Sequence, residues 1–122
     1  MTQSAPNITF DDYKILAMRT AKDMGSTREN LIHAAMGLSS DAGEFTDCIK
    51  KFAIYNKPFD MYNAVEELGD CLWFIALACD TLGISMEAVA IRNIEKLKLR
   101  YPDKYSDTAA IARADKDEGE KT

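Results

Sequence analysis

Residues 60–83 read DMYNAVEELGDCLWFIALACDTLG. The stretch holds no proline, and it is bounded by Asp60, a side chain suited to an N-cap, and by Gly83, suited to a C-cap. It predicts a helix running from Asp60 as cap to about Leu82. Val65, Leu68, Leu72, Trp73, Ile75, Leu77 and Leu82 place apolar groups on several of its faces. A helix apolar on more than one side needs burial on more than one side, so the neighbouring segments have to supply partners.

They read as helices too. Upstream, Leu31, Ala34, Ala35, Leu38, Ala42, Phe45, Ile49 and Phe52 recur at helical spacing, and Ser26 or Thr27 can cap the start. This predicts a helix to about Tyr55, ended by Pro58. Gly37 and Gly43 lie inside it, and each costs about 1 kcal/mol against alanine, which points to close packing or a ligand. Before that, Thr9 caps a helix from about Phe10 to Met24, with Asp11 and Asp12 in the first turn and Gly25 as the stop. After Gly83, a fourth helix opens at Ser85 and runs to about Leu99, before Pro102. The short loops make neighbours antiparallel. The expected fold is an all-α, four-helix, bundle-like protomer. The many-sided third helix further implies a homo-dimer or homo-tetramer.

The chain has 122 residues, which suits one domain, with a helical core over about 8–102. Residues 103–122 turn polar and are expected to form a mobile tail. The longest apolar run, Cys71 to Cys79, is too short to cross a bilayer, and no basic start leads into an apolar stretch. Cys48, Cys71 and Cys79 are an odd number without CxxC spacing, as expected of free thiols in a reducing, cytoplasmic setting. Twenty acidic residues stand against fifteen basic ones, a formal charge of -5. Such a chain repels phosphate backbones unless it gathers its cations locally or recruits metal ions, so duplex nucleic acid is not an expected partner.

The acids carry the chemistry. Asp41 and Glu44 lie three apart in the second helix, and Glu67 and Asp70 three apart in the third. That spacing puts both members of each pair on one helix face, about 5–6 Å apart. Both pairs sit among apolar neighbours: Leu38 and Ala42 flank Asp41, and Cys71, Leu72 and Trp73 follow Asp70. If the helices pack antiparallel, four carboxylates converge. Two like charges 4 Å apart cost about 4 kcal/mol at an effective dielectric near 20, so such a group takes up protons or binds cations. Oxygen donors suit Mg²⁺ or Mn²⁺, and the lone His33 has no soft-metal partner. The bland alternative is a set of solvated helix-surface acids.

Three segments in order, Gly37-Leu38-Ser39-Ser40-Asp41-Ala42-Gly43-Glu44, Glu66-Glu67-Leu68-Gly69-Asp70-Cys71-Leu72-Trp73 and Asn93-Ile94-Glu95-Lys96-Leu97-Lys98-Leu99-Arg100-Tyr101-Pro102, resemble the MazG-like nucleotide pyrophosphohydrolases of the all-α NTP pyrophosphatase superfamily. The likeness covers about Phe10 to Arg113 and is closest to the small single-domain members common in phages and mobile elements. It implies hydrolysis of a nucleoside or deoxynucleoside triphosphate to monophosphate and pyrophosphate, with Mg²⁺ held by Asp41, Glu44, Glu67 and Asp70. It also implies that Asn93, Lys96 and Arg100 give amide and cation contacts to the triphosphate, and that the protein is an oligomer. Two positions depart from the family's pattern. Ser40 stands where a glutamate is common, and Asp41 replaces a metal-ligand glutamate with a side chain one methylene shorter.

The remaining candidates come from position along the helices. Glu44, or failing it Glu66, is the expected base for the attacking water. Lys51 lies two turns beyond Glu44 and is either a phosphate contact or a surface lysine. Phe74 shares the face of Glu67 and Asp70, with Trp73 one residue round, and either can stack on a base or serve the core. Asn30 and His33 lie upstream of Asp41 and are candidates for a base edge. Two rival readings stand beside the enzyme: a catalytically weakened nucleotide-binding or regulatory module, and a purely structural helical oligomer.

Overall fold

Thr9 opens the first helix as the sequence predicts. Its hydroxyl accepts the Asp12 N–H at 3.0 Å while the Asp12 carboxylate accepts the Thr9 N–H at 3.1 Å, a reciprocal capping box. In the computed structural model, which describes residues 7–116, five helices follow one another: α1 (Phe10–Met18), α2 (Thr27–Ala53), α3 (Met61–Leu82), α4 (Met86–Arg100) and α5 (Asp107–Ala112). The described residues form no strand, so the fold is all-α. They divide into two compact units between Met86 and Glu87.

In the first unit α2 and α3 form the main pair, with α1 packed on α3. Ser26 caps α2 by accepting the Glu29 N–H, and Asp60 caps α3 by accepting that of Asn63. Gly83 closes α3 in the left-handed conformation, φ 68°, which only glycine adopts without cost. The pair is antiparallel. His33 lies against Phe74, Gly37 against the same ring, and Asp41 against Asp70, while at the hairpin end Cys48 Sγ donates to the Asp60 carbonyl at 3.6 Å. Positions rise along one helix as they fall along the other.

The first helix ends at Met18, six residues before the end expected at Met24. The reason is tertiary. The Trp73 indole N–H on α3 donates to the Ala17 carbonyl at 3.2 Å and to the Thr20 hydroxyl at 2.9 Å. The Thr20 hydroxyl itself donates to the Ala17 carbonyl at 2.7 Å. The Ala17 carbonyl, which would accept from the next helical turn, instead takes the Thr20 N–H at 3.0 Å together with the indole from outside. The following loop is tied by Asn30, whose amide oxygen accepts the Met24 N–H and whose amide nitrogen donates to Asp23.

The core joining α1 to α3 consists of Ala17, Ala76, Cys79 and Met86, with Tyr13, Met18, Leu72, Trp73 and Ile75 packed round it. Ala17, Ala76 and Cys79 are small, which lets α1 and α3 approach closely, while Leu77 and Met86 are the larger apolar groups that are buried. Many other large apolar groups stay exposed. On α3, Met61, Val65 and Leu68 are 64%, 60% and 53% exposed, one stripe at helical spacing.

The start of α4 is held by α1. The Asp11 carboxylate accepts the Met86 N–H at 2.9 Å and the Ser85 hydroxyl at 2.6 Å, and Lys14 Nζ donates to the Ile84 carbonyl at 2.9 Å. In the second unit, the segment read from sequence as a polar tail carries α5, capped by Ser106 through the Ala109 N–H. Residues 117–122 of that segment lie outside the described residues. Among the described residues, no single helix is long and apolar enough to cross a membrane.

Candidate metal centre

Three of the four acids come together where α2 and α3 face each other. Carboxylate oxygens of Asp41, Glu67 and Asp70 all lie within 4.8 Å of one another. Glu67 is the buried member at 6% exposure, Asp41 is half-buried and Asp70 is exposed. Glu44 is exposed on α2, near enough to Glu67 for its charge to act there. Burial pushes the Glu67 proton affinity up, and the neighbouring Glu44 and then the charges of Asp70 and Asp41 push it further. Asp41 is raised likewise, by burial first and then by Asp70 and Glu44.

One oxygen of Glu67, Oε2, is buried and has no hydrogen-bond partner. A buried acceptor without a donor costs about 1–3 kcal/mol, more for a charged group. An all-carboxylate donor set with one orphaned inward oxygen fits a hard divalent cation, which takes oxygen ligands and offsets the mutual repulsion. The residues therefore suit Mg²⁺ or Mn²⁺. Gly43, between Asp41 and Glu44, has open space where a side chain would be, whereas Gly37 is covered by the Phe74 ring.

The other expected site residues fall into different surroundings. Glu66 is exposed on α3. Lys51 is exposed and paired with Asp47 one turn back at 3.1 Å, an ion pair that also takes in Lys50 at 3.4 Å. Asn30 and Trp73 have their polar atoms engaged in the α1–α2 loop and at the end of α1. His33, Trp73 and Phe74 form an edge-on aromatic group, with Phe74 at 5.5 Å from His33 and 4.9 Å from Trp73. The Nδ1 atom of His33 is buried there without a partner. On α4, Asn93 is exposed and Lys96 half-buried, while Arg100 is held by Asp115 in a two-pronged ion pair.

Two neighbours of the acids were not among the expected site residues. Cys71 is half-buried, and burial together with the charges of Asp41, Glu67 and Asp70 pushes its thiol up. Tyr13 on α1, packed against the core, is raised by burial and then by the Asp70 charge. Cys71 had a sequence signal, since it follows Asp70 and lies one turn beyond Glu67. Tyr13 had none.

The fold and the site together define an all-α protein with a two-helix hairpin whose facing acids could hold a metal ion. The family model for the MazG nucleotide pyrophosphohydrolase domain matches residues 29–105, which spans α2, α3 and α4. The chain is also 33% identical over 100 residues to the Gene 37 protein of Mycobacterium phage L5, an alignment covering 74% of this chain and 86% of that protein. No solved structure matches the chain. The chain belongs to the MazG nucleotide pyrophosphohydrolase family.

Proposed function

We propose that this protein is a Mg²⁺-dependent pyrophosphohydrolase that converts a nucleoside or deoxynucleoside triphosphate to the monophosphate and pyrophosphate. The observation that carries the reading is the convergence of Asp41, Glu67 and Asp70 around a buried, unpartnered Glu67 oxygen in a chain of this family. Asp41, Glu44, Glu67 and Asp70 would hold the ion, with Mn²⁺ as a possible substitute. When bound, the divalent ion supplies Lewis-acid polarisation of phosphoryl oxygens and neutralises charge on the departing pyrophosphate.

The chain's own residues do the rest. Glu44 takes the proton of the attacking water, being a carboxylate beside Glu67 and open to solvent. Glu66 is the second candidate for that role. Asn93, Lys96 and Arg100 bind phosphate oxygens, with Lys51 as a further cation that must first leave Asp47. For the base, His33 and Phe74 are favoured over Asn30 and Trp73, whose polar atoms already serve the fold. The exposed stripe of Met61, Val65 and Leu68 favours a homo-dimer or homo-tetramer. Free thiols and a nucleotide substrate suit the cytoplasm.

Hydrolysis in ¹⁸O-labelled water tests the reaction. Attack at the α-phosphorus puts the label in the monophosphate, leaves diphosphates as poorer substrates and monophosphates inert. Label in orthophosphate, with diphosphate accumulating, overturns the assignment. Binding of triphosphate without turnover in any metal would instead identify a nucleotide-binding module.

A further inference from the structure

The second unit contains an anion site that the chain itself fills. Arg100, in the last turn of α4, points its guanidinium at Asp115: Nε donates to Oδ1 at 2.9 Å and Nη2 donates to Oδ2 at 3.3 Å. The pair is largely covered, with the Asp115 side chain 5% exposed and that of Arg100 18%. Asp115 is one of only two buried charged residues described, the other being Glu67. Backbone turns bring it there. Arg113 adopts the left-handed conformation, φ 49°, which stops α5, and the Lys116 N–H then bonds back to the Arg113 carbonyl at 2.9 Å. A non-glycine residue in that conformation carries a conformational cost, which the docked Asp115 helps to offset.

The guanidinium fork matches carboxylate and phosphate with the same planar, two-pronged geometry. The Asp115 carboxylate engages this fork as a phosphoryl group could, with one negative charge against the several of a pyrophosphate unit. We infer that Asp115 is an internal phosphate mimic, which the phosphoryl oxygens of a nucleotide or of pyrophosphate displace from Arg100, releasing residues 107–116 from the end of α4. This gate rests on the proposed role of Arg100 as a phosphate contact. Until the anion arrives, Arg100 is withheld from substrate and the segment stays docked. Every turnover then begins with exchange of one carboxylate for one phosphoryl group at Arg100.

The test uses the full chain and two probes, inorganic pyrophosphate and a triphosphate with a non-hydrolysable α–β bridge, each with Mg²⁺. In Asp115→Asn and Asp115→Ala, both probes are expected to bind about tenfold more tightly than to the parent. In the parent, amide hydrogen exchange over residues 107–116 should accelerate on adding either probe, and not on adding sodium chloride to the same ionic strength. A response to the triphosphate alone restricts the displacing group to the nucleotide, and a response to both extends it to the product. Binding that is unchanged or weaker in both Asp115 variants, or exchange over 107–116 that stays level or slows with both probes, overturns the gate. Failure of the gate and failure of the proposed reaction are separable. Unaltered binding in variants of an enzyme that still releases labelled monophosphate removes only the gate. A pyrophosphate-released segment in a protein that hydrolyses no triphosphate removes only the reaction.

Discussion

Replacing Gly37 by alanine isolates one packing contact. A Cβ at this position would stand 2.5 Å from Phe74 Cδ1, and Cε1 and Cζ are nearer still. Carbon atoms rest at about 3.5–4.0 Å, so the nearest ring atoms have to retreat by more than about 1 Å. It is not free to do so cheaply, because it lies edge-on to His33 at 5.5 Å and to Trp73 at 4.9 Å. Overpacking of this kind costs about 1–3 kcal/mol. Alanine in a helix interior returns about 1 kcal/mol over glycine, so the net expectation is a loss of about 0–2 kcal/mol. Gly43 supplies the control. It lies in the same helix with nothing within 4 Å of its would-be Cβ, and Gly43→Ala should therefore stabilise by about 1 kcal/mol. The helix-propensity gain cancels between the two variants, leaving the clash as their difference, about 1–3 kcal/mol. Urea unfolding of both reads it directly. Equal stability within about 0.5 kcal/mol, the usual scatter of substitutions that touch nothing, or a more stable Gly37→Ala, would refute the packing account.

The remaining expectations concern the acids and the start of α4. Glu67→Gln should abolish turnover while leaving the helical spectrum intact, and should raise the metal-free melting temperature by removing a buried charge; full activity in this variant would exclude Glu67 from the site. The raised proton affinities of Glu67 and Asp41 give a signed pH effect. Their contribution to stability is fully present below the ordinary carboxyl values, 4.5 and 3.8, and is lost as pH rises through the raised folded values. The metal-free parent should therefore melt at lower temperature as pH climbs through that window, Mg²⁺ should reverse the loss by binding only the folded state, and Glu67→Gln should flatten the slope. A melting temperature insensitive to Mg²⁺ at neutral pH would count against a metal centre. Asp11→Ala removes the cap at Met86 and Ser85, and should cost about 1–2 kcal/mol in chemical denaturation; no loss would mean that Ser85 can cap α4 unaided.

Local chemistry wrote much of this protein into its sequence. Ser26, Asp60 and Gly83 mark the ends of α2 and α3 because caps are made by residues within three or four positions of the groups they satisfy. The i, i+3 spacing of Asp41 with Glu44 and of Glu67 with Asp70 sets each pair on one face, since helical geometry is the same wherever the helix lies. Family motifs spread over α2, α3 and α4 were readable for the same reason. Contacts between residues far apart in the chain were not. The early end of α1 depends on an indole 56 residues away, and the start of α4 on a carboxylate 75 residues away. The same separation hid the choice between packing and ligand at the two glycines, which the Phe74 ring resolves at Gly37 alone. It also hid Arg100 and Asp115, whose 15-residue gap is interrupted by Pro102 and the turn at Arg113. Periodicity records which face a side chain occupies along its own helix. What that face meets is decided when the helices pack, and there burial and hydrogen bonding select among faces that the local sequence leaves equivalent.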